Sequence, residues 1–514
     1  MRLTFENRKF VLQNFGGPIV TLPAAIGNEN WRRSSSYSFE TKSIQEAVRF
    51  RKVADSKAEN IFKTLMLRDL PIPSGGLLTP KGLELFDFQR ERGVPYILSR
   101  NRSYLAHSPG LGKTAQAITA VSTKPGRALI ICPSFLKITW AREITKWFIR
   151  DFPSIKIVGK HVNDFDADFV ICSDAMLERD WVREGLAAQT FRYVFVDEGH
   201  RFKTPNTNRT IALFGGKNKK IKSRGLIYKS EHVSILSGTP MLNRPIELWP
   251  MLFAMAPEVI DFMSYEEFGF RYCGATRNEY GWEFLGSTRE DELKERLSRF
   301  MQRIHKKDVL QDLPKKIREV VVMDEEPRPK DVVAFDRKLV HLFRRKKEKA
   351  LELGEYAKLR HFNGVSKVNW SARFIKDILQ NDLTEQVIVF AHHRDVVEKL
   401  AKALKEFAPL VINGGVKESE RTRIEDQFQS GKCRILIGNI DAMNLGLTLT
   451  AATRVIFVEY SWTPALNEQA EDRANRIGSR WSVFCQYIVL QGSIDEDILN
   501  SNLIKQERIE GVGL

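Results

Sequence analysis

The sequence lacks the long hydrophobic runs of membrane and secreted proteins. No stretch of about eighteen apolar residues, the length of a membrane-spanning helix, occurs in the 514 residues. The amino-terminal segment, Met1–Lys9, has no uninterrupted hydrophobic region of the kind found in secretory signals. We therefore expect a soluble intracellular protein, cytoplasmic in a prokaryote or virus and nuclear in a eukaryote.

Cysteine and histidine are also scarce. The chain has five cysteines and nine histidines. The cysteines are widely separated, which argues against a disulfide framework and against a zinc ribbon. The histidines show no metal-ligand spacing, and no segment repeats at a fixed solenoid period.

Positive charge, by contrast, is in excess. The chain has 80 Lys+Arg against 64 Asp+Glu, a net charge of +16 and a sequence pI of about 9.5. This balance favours a polyanionic partner, although a merely basic soluble enzyme is the alternative. With 43% hydrophobic residues, the chain is long enough for two or three cores.

Composition divides the chain into four parts. The first contains a predicted amphipathic helix over Ser43–Thr64 and ends in the linker-like segment Pro71–Gly76. The second and fourth parts alternate apolar strands with helices, as α/β domains do, whereas the third is helical and charged. The predicted domains are residues 1–80, 81–255, 256–380 and 381–514.

Ser108–Ala115 has the pattern of a phosphate-binding loop. It follows the apolar stretch Tyr104–Ala106 and opens a helical run. In such a loop, backbone N–H groups and a helix amino terminus point at phosphate oxygens. Lys113 adds a positive charge, and Thr114 offers a hydroxyl to Mg²⁺. Because His107 stands where the G-x-x-x-x-G-K-T pattern has its first glycine, the loop alone does not decide the function.

Asp197 and Glu198 follow the apolar run Tyr193–Val196, which predicts a buried parallel strand. At the end of such a strand, Asp197 can hold Mg²⁺ through water and Glu198 can orient or deprotonate the attacking water. An isolated acidic pair is usually an ordinary solvated loop. A phosphate loop earlier in the same α/β pattern favours the catalytic interpretation.

Further blocks follow in a fixed order, and together they resemble the SWI/SNF-type ATPases of helicase superfamily two over roughly residues 80 to 505. Three short segments, Phe270–Cys273, Gly281–Trp282 and Phe390–His393, look most like the HARP-type annealing helicases of that family. The blocks are Leu85–Gln89, Ala128–Ser134 with Trp140, Glu143 and Trp147, Ser237–Trp249, Val387–His393, Ile437–Thr448 and Gln469–Gly478.

The resemblance implies an α/β fold of two RecA-like parallel-sheet lobes with helical insertions, binding ATP and Mg²⁺ and moving on double-stranded DNA. It makes Lys113, Asp197, Glu198, Arg473 and Arg476 catalytic, the two arginines sharing one face of a helix. The chain departs from the family at His107–Ser108, Asn475 and Ser479, which replace an acidic pair, a histidine and a glutamine. Implied nucleotide contacts are Gln89, Gly110, Gly112, Lys113, Thr114 and Gly446, with Thr114 and Asp197 at the metal.

Contacts with the DNA backbone are implied for hydroxyl, amide and basic side chains. Trp462 has a rival interpretation as a core residue, and the basic runs Lys217–Arg224 and Arg344–Lys347 could bind DNA, direct nuclear import or lie solvated. Met301–Pro314 resembles the segment that joins the lobes, the alternative being an amphipathic surface helix. The implied DNA contacts are Ser134, Lys203, Asn206, Thr239, Asn413, Gly414, Thr448 and Trp462.

We therefore predict a monomeric, ATP-dependent double-strand DNA translocase that remodels or anneals forked or branched DNA. A strand-separating helicase, a chromatin remodeller and a non-catalytic DNA-binding scaffold are the alternatives. Residues 1–80, with Trp31, Tyr37 and Phe39, either select the DNA structure by stacking on unpaired bases or brace the first lobe.

Overall fold

The computed structural model describes most of the chain from residue 76 onward. The described residues are 76–149, 153–159, 164–279, 281–310, 314–323, 352–443, 446–476, 478–479 and 481–511, with the backbone of four strands between residues 2 and 41. None of the helices in these ranges is long and apolar enough to span a membrane. The predicted helix Ser43–Thr64, Trp31, Tyr37 and the basic run Arg344–Lys347 lie outside the described residues.

The four amino-terminal strands form an antiparallel sheet in the order β1-β2-β4-β3. Phe39, one of the aromatic residues singled out in the sequence, lies on the last of these strands. The strands are β1 (Arg2–Glu6), β2 (Lys9–Gln13), β3 (Arg32–Ser35) and β4 (Ser38–Thr41).

From residue 76 onward the chain divides into two compact units. The first runs to Ile304 except for Ser108–Leu111, which the division assigns to the second unit with His305–Glu510. Each unit is built around one parallel sheet, so the predicted α/β fold class is confirmed.

The sheet of the first unit has seven parallel strands in the order β15-β5-β12-β9-β6-β8-β7. Nearly every residue of its central strands is buried, because helices cover both faces. The strands are β5 (Arg102–His107), β6 (Ala128–Cys132), β7 (Ile155–Ile157), β8 (Phe169–Ser173), β9 (Tyr193–Asp197), β12 (His232–Leu236) and β15 (Met301–Ile304). Two short hairpins accompany them, β10 (Gly216–Lys217) with β11 (Lys222–Ser223) and β13 (Thr276–Asn278) with β14 (Gly281–Glu283).

The helices of the first unit connect these strands. The helix Tyr265–Tyr272 begins with a capping box, in which Ser264 and Glu267 bond each other's backbone N–H groups. The helices are α1 (Val94–Ser99), α2 (Lys113–Thr123), α3 (Lys137–Trp147), α4 (Asp180–Ala188), α5 (Asn208–Phe214), α6 (Trp249–Met255), α7 (Tyr265–Tyr272) and α8 (Glu290–Ser298).

The sheet of the second unit has six parallel strands in the order β16-β21-β20-β17-β19-β18. Alternate residues of its central strand enter two different cores: Ile388 and Phe390 belong to one, and Val387 and Val389 to the other. The strands are β16 (Lys316–Met323), β17 (Val387–Ala391), β18 (Leu410–Ile412), β19 (Ile435–Asn439), β20 (Arg454–Phe457) and β21 (Val483–Leu490). The helices are α9 (Lys306–Val309), α10 (Glu352–Asn381), α11 (Arg394–Ala403), α12 (Glu418–Gln429), α13 (Ile440–Met443), α14 (Pro464–Glu471) and α15 (Ile494–Gly511).

The range 256–380 contains more strand than its helical, charged pattern predicts. Besides the hairpin of β13 and β14, it supplies β15 to the first sheet and β16 to the second. The described part of Met301–Pro314 is therefore not one amphipathic helix. Residues 301–309 form β15 and the short helix α9, because the backbone of Met301–Ile304 pairs with β5 instead of with itself.

Candidate nucleotide site and DNA contacts

The phosphate loop lies between the end of β5 at His107 and the start of α2 at Lys113. Gly110 and Gly112 have φ angles of +84° and +68°, a left-handed backbone that glycine adopts without the steric cost of a Cβ. The side chain of Gln89 lies beside Gly112, where an added Cβ would come 2.5 Å from its Nε2. The loop thus has the tight backbone and helix amino terminus that phosphate groups favour.

The side chains of Gln89 and Lys113 both lie next to this loop. Gln89 is buried, and its Oε1 accepts a hydrogen bond from the backbone N–H of Phe86 at 3.1 Å. Lys113 donates from Nζ to the carbonyl oxygen of His107 at 2.8 Å, so its ammonium group lies back over the loop. Thr114 follows on the first turn of α2 and is half-buried.

Asp197 ends β9, and Trp140 of α3 fixes its carboxylate. The indole Nε1 of Trp140 donates to Asp197 Oδ2 at 2.8 Å. Burial and the neighbouring charge of Glu198 raise the pKa of Asp197 to about 6, while Trp140 and the positive charge of Lys113 oppose that rise. A divalent cation would relieve the repulsion between these two carboxylates, so the residues present fit Mg²⁺.

Glu198 has a strained backbone. Its φ of +52° and ψ of +53° are left-handed, a conformation that a residue with a Cβ rarely adopts. Two hydrogen bonds hold it there, from its N–H to Leu236 O at 2.8 Å and to Asp197 Oδ1 at 3.0 Å. Its carboxylate Oε2 lies 3.4 Å from Ser237 Oγ, which donates to it, and 3.2 Å from His200 Nδ1. Strain of this kind concentrates at functional sites.

His107, where the chain departs from its expected pattern, is neutral. Burial lowers its pKa to about 3, and the positive charges of Lys113 and Arg303 act in the same direction. Its Nε2 forms a hydrogen bond of 2.9 Å with Gln302 Oε1 on the neighbouring strand β15. The side chain that ends β5 is therefore tied to the sheet edge.

Arg473 and Arg476 do not lie on one face of a helix, so that expectation was wrong. Helix α14 ends at Glu471, and the chain continues in tight turns, with Arg473 N bonded to Ala470 O at 3.2 Å and Ala474 N to Glu471 O at 3.1 Å. Asp472, the residue that follows the helix, is bonded through its carboxylate to Lys306 and Lys316 from another segment of the second unit.

Both guanidinium groups instead contact the segment that carries Gly446 and Thr448. Arg473 is buried and donates to Leu447 O at 3.2 Å. Arg476 donates to Thr448 Oγ1 at 3.1 Å. Gly446 begins this segment with a φ of +84°. The second unit thus brings together four of the residues predicted to act on nucleotide or DNA.

The predicted DNA contacts of the first unit differ in exposure. Ser134 and Asn206 are exposed. Lys203 is engaged by Glu247 at 3.1 Å, and Thr239 is buried, its N–H donating to Ser237 Oγ at 3.3 Å. Ser134 and Asn206 can therefore reach a ligand directly, whereas Lys203 must leave Glu247 to do so.

In the second unit, Asn413 and Gly414 form a turn just beyond β18. Asn413 Oδ1 accepts from the N–H of Gly415 at 3.0 Å, and Gly414 is exposed. Trp462 is half-buried and packs against one core of this unit, as its rival interpretation has it. The DNA roles of these residues stay predictions.

Sequence reasoning missed two groups at these sites. The sequence places Trp140 in a family motif but does not predict its contact with Asp197. It likewise does not predict the contact of Ser237 with Glu198. No short sequence pattern reveals these contacts, because Trp140 is 57 positions from Asp197 and Ser237 is 39 positions from Glu198.

Comparisons with known proteins agree with these motifs. The SNF2-related domain matches residues 88–358, and the helicase conserved C-terminal domain matches residues 370–478. A SWI/SNF-related matrix-associated actin-dependent regulator of chromatin subfamily A-like protein 1 from Xenopus tropicalis is 32% identical over 460 residues, 87% of this chain and 47% of that protein. The human DNA annealing helicase and endonuclease ZRANB3 is 32% identical over 431 residues, 80% of this chain and 39% of its own length.

The chain therefore spans less than half the length of these relatives. Among solved structures, a Sulfolobus solfataricus SWI2/SNF2 ATPase core in complex with dsDNA is 22% identical, with a TM-score of 0.40, covering 84% of this chain and 95% of that one. The family matches confirm the resemblance to SWI/SNF-type and HARP-type proteins.

The strain at Glu198 can be measured. Glu198→Gln keeps the left-handed backbone with a Cβ, whereas Glu198→Gly removes the Cβ. We expect the glycine variant to exceed the glutamine variant in free energy of unfolding by about 0.5 kcal/mol, since the steric relief outweighs the added freedom of the unfolded chain. Urea denaturation of both variants tests this, and a less stable glycine variant would contradict it.

Proposed function

We propose that this chain, which belongs to the family of proteins with an SNF2-related domain, is a DNA-dependent ATPase that translocates on double-stranded DNA. Its task is to remodel or anneal forked or branched DNA in replication, recombination or repair. The observation that carries the proposal is the convergence of Gln89, the phosphate loop and the Asp197–Glu198 pair at one edge of the first sheet.

In this proposal the first unit binds ATP with Mg²⁺. Backbone N–H groups of the loop and the ammonium group of Lys113 bind phosphate oxygens, and Gln89 contacts the base. Asp197 and Thr114 would hold Mg²⁺. Glu198 orients the attacking water, and its strained backbone presents the carboxylate at a fixed angle. Mg²⁺, when bound, neutralises charge on the phosphates.

Arg473 and Arg476 supply positive charge to the phosphoryl group that is transferred. A planar guanidinium group suits the charge that spreads over three equatorial oxygens, and such groups contribute about 10³-fold or more to the rate. Arg473 donates to the carbonyl oxygens of Leu447 and Gln469, and Arg476 donates to Thr448 Oγ1. Hydrogen bonds from a guanidinium group to a phosphate are charge-assisted and stronger than bonds to neutral oxygens.

The partner with negative charge is DNA, and a basic hairpin in the first unit supports this. The basic hairpin comprises residues 216–224, with β10, β11 and the turn between them. Asn218 fixes that turn, accepting from the N–H groups of Lys220 and Ile221 and donating to the carbonyl oxygen of Asn206 at 3.0 Å. Its exposed cations lie next to a predicted DNA contact and form no ion pair within the described residues: Lys217, Lys219, Lys220, Lys222 and Arg224.

The ordered turn favours a phosphate-binding role for the basic hairpin over a solvated loop. Five like charges held close together repel one another, and a polyanion relieves that repulsion. A DNA substrate also fixes the compartment, the nucleus in a eukaryote and the cytoplasm in a prokaryote.

Two other functions stay open as alternatives. The names of the matched relatives describe one as a regulator of chromatin and the other as an annealing helicase and endonuclease. Annealing is favoured because three segments resemble the HARP-type annealing helicases: Phe270–Cys273, Gly281–Trp282 and Phe390–His393. A strand-separating helicase is the second candidate, and a chromatin remodeller the third.

ATP hydrolysis should require Mg²⁺ and be strongly stimulated by duplex DNA. Lys113→Ala and Glu198→Gln should each abolish it, because one removes the phosphate-binding charge and the other the group that orients water. Lys124→Ala, at the opposite end of α2 where the lysine pairs with Glu231 on the surface, is the matched control and should hydrolyse ATP normally. Near-normal ATPase in either site variant would refute the site.

The basic hairpin should set part of the salt dependence of DNA binding. Replacing Lys219 and Lys220 by serine should reduce the slope of log affinity against log salt by up to about 1.8, since each lost phosphate contact accounts for about 0.9. The control replaces two exposed lysines of the second unit, Lys402 and Lys405, by serine. Equal slopes for the two double variants would exclude the hairpin from the DNA interface.

Annealing and strand separation can be told apart directly. With ATP, the chain should close a bubble or regress a fork with complementary arms while leaving the strands of a plain duplex paired. Gel assays with one labelled strand measure both reactions. Release of the labelled strand from plain duplex, without bubble closure, would instead establish the strand-separating alternative.

A further inference from the structure

Two buried carboxylates directly precede the arginines of the second unit. Glu471 ends α14 and Asp472 follows it, and both are almost fully buried. Lys316 lies 2.8 Å from Glu471 and 3.2 Å from Asp472. Lys306 lies 2.9 Å from Asp472. We call Lys306, Lys316, Arg318, Glu471 and Asp472 the buried ion cluster.

Arg318 completes this cluster with a bidentate contact. Its Nε and Nη2 each donate to one oxygen of Glu471 at 2.7 Å, and Tyr487 OH donates to the same carboxylate at 2.9 Å. A planar fork of this kind fixes orientation as well as distance. Glu471 is therefore held at both oxygens.

Two more bonds tie the turn after α14 to the same segment. Asn475 Nδ2 donates to Pro314 O at 2.8 Å, and Lys306 Nζ donates to Asn475 O at 2.6 Å. Asn475 lies between Arg473 and Arg476 and is the residue that replaces the expected histidine. The turn that carries both arginines is thus bonded on two sides to residues 306–318.

The two carboxylates of the cluster are charged in the neutral range, whereas burial lowers the pKa of Lys306. Burial alone would raise the pKa of Glu471 and of Asp472, but the charge of Lys316 and the other bonded cations lowers both pKa values below their ordinary range. Well-packed apolar residues often stabilise a protein as much as a buried ion cluster does, whereas the bonds of a cluster fix one geometry. Stability alone therefore does not account for five charged groups here.

The cations come from the segment that joins the two sheets in sequence, and the beginning of that segment is fixed within the first unit. Arg303 on β15 donates to Ala106 O at 2.6 Å and to Gly238 O at 2.9 Å, and Gln302 bonds His107 at 2.9 Å. Ala106 and His107 directly precede the phosphate loop, and Gly238 follows β12. Only two residues separate Arg303 from Lys306 in the chain.

We propose that residues 302–310 and 314–318, the joining segment, position Arg473 and Arg476 through the buried ion cluster. Lys306, Lys316 and Arg318 are positioning residues, since they act through Glu471 and Asp472. This proposal rests on the proposed function, because it concerns the arginines that serve ATP hydrolysis. Without the cluster, the turn after α14 loses its fixed orientation while the phosphate loop stays intact.

The test uses the full chain with Arg318→Ala, Lys306→Gln and the control Arg423→Ala. Arg423 pairs with Glu420 on an exposed helix of the same unit, so its removal takes one arginine–carboxylate pair from the surface. We expect kcat of the DNA-stimulated ATPase to fall at least about tenfold in Arg318→Ala, because small displacements of a catalytic group cost up to about 10²-fold. The Kd of a fluorescent ATP analogue should change by less than about twofold, since uniform binding is retained.

Lys306→Gln should lower kcat in the same direction but less, because Lys316 still neutralises Asp472. This variant also tests the proposal if Arg318→Ala does not fold. Arg318→Lys keeps the charge but not the fork and should restore only part of kcat. The control should match the wild type in both quantities.

The outcomes separate the two proposals. A wild-type chain without DNA-stimulated ATPase would refute the proposed function itself. If the wild type is active, unchanged kcat in folded Arg318→Ala or Lys306→Gln overturns the joining-segment proposal. The proposal is also overturned if kcat falls only in proportion to the fraction of molecules that still bind nucleotide, measured by titration. Such a result would show that the variant protein is partly unfolded and that the cluster has a structural role.

Discussion

In both sheets every strand runs parallel to its neighbours, so the carboxyl ends of the strands lie along one edge. The phosphate loop follows β5, Asp197 ends β9, and Ser237 follows β12, which lies between them. This pairing, with helices covering both faces, brings residues 80 or more positions apart into one site. Both the fold and the candidate site depend on this parallel strand pairing, because the same strands also form the hydrophobic cores.

The first unit keeps strained or buried polar groups at this edge, and each is held by defined bonds. Glu198 stays left-handed because its N–H is bonded to Leu236 and Asp197. Asp197 is kept in place by an indole N–H. Strained backbone of this kind costs stability and concentrates at functional sites.

In the second unit, the turn after α14 is contacted by buried charged side chains. The buried ion cluster contacts a turn whose own backbone hydrogen bonds are short-range. The bidentate contact of Arg318 with Glu471 adds geometric specificity at the start of this turn. The parallel sheet thus forms the core of the second unit, and charged side chains contact the turn that carries Arg473 and Arg476.

The sequence by itself determined the class of fold, the phosphate loop, the acidic pair and the family, because each depends on short apolar runs and local spacing. It predicted strand β9 and the strand before the loop for the same reason. It did not predict that Arg473 and Arg476 leave the helix, since the residues that contact this turn, such as Lys316, are more than 150 positions away. Nor did it place β15 and β16 in the two sheets, since edge strands of mixed polarity acquire their conformation from the partner strand. Tertiary structure alone decided these features, and it did so through long-range pairing and buried charge.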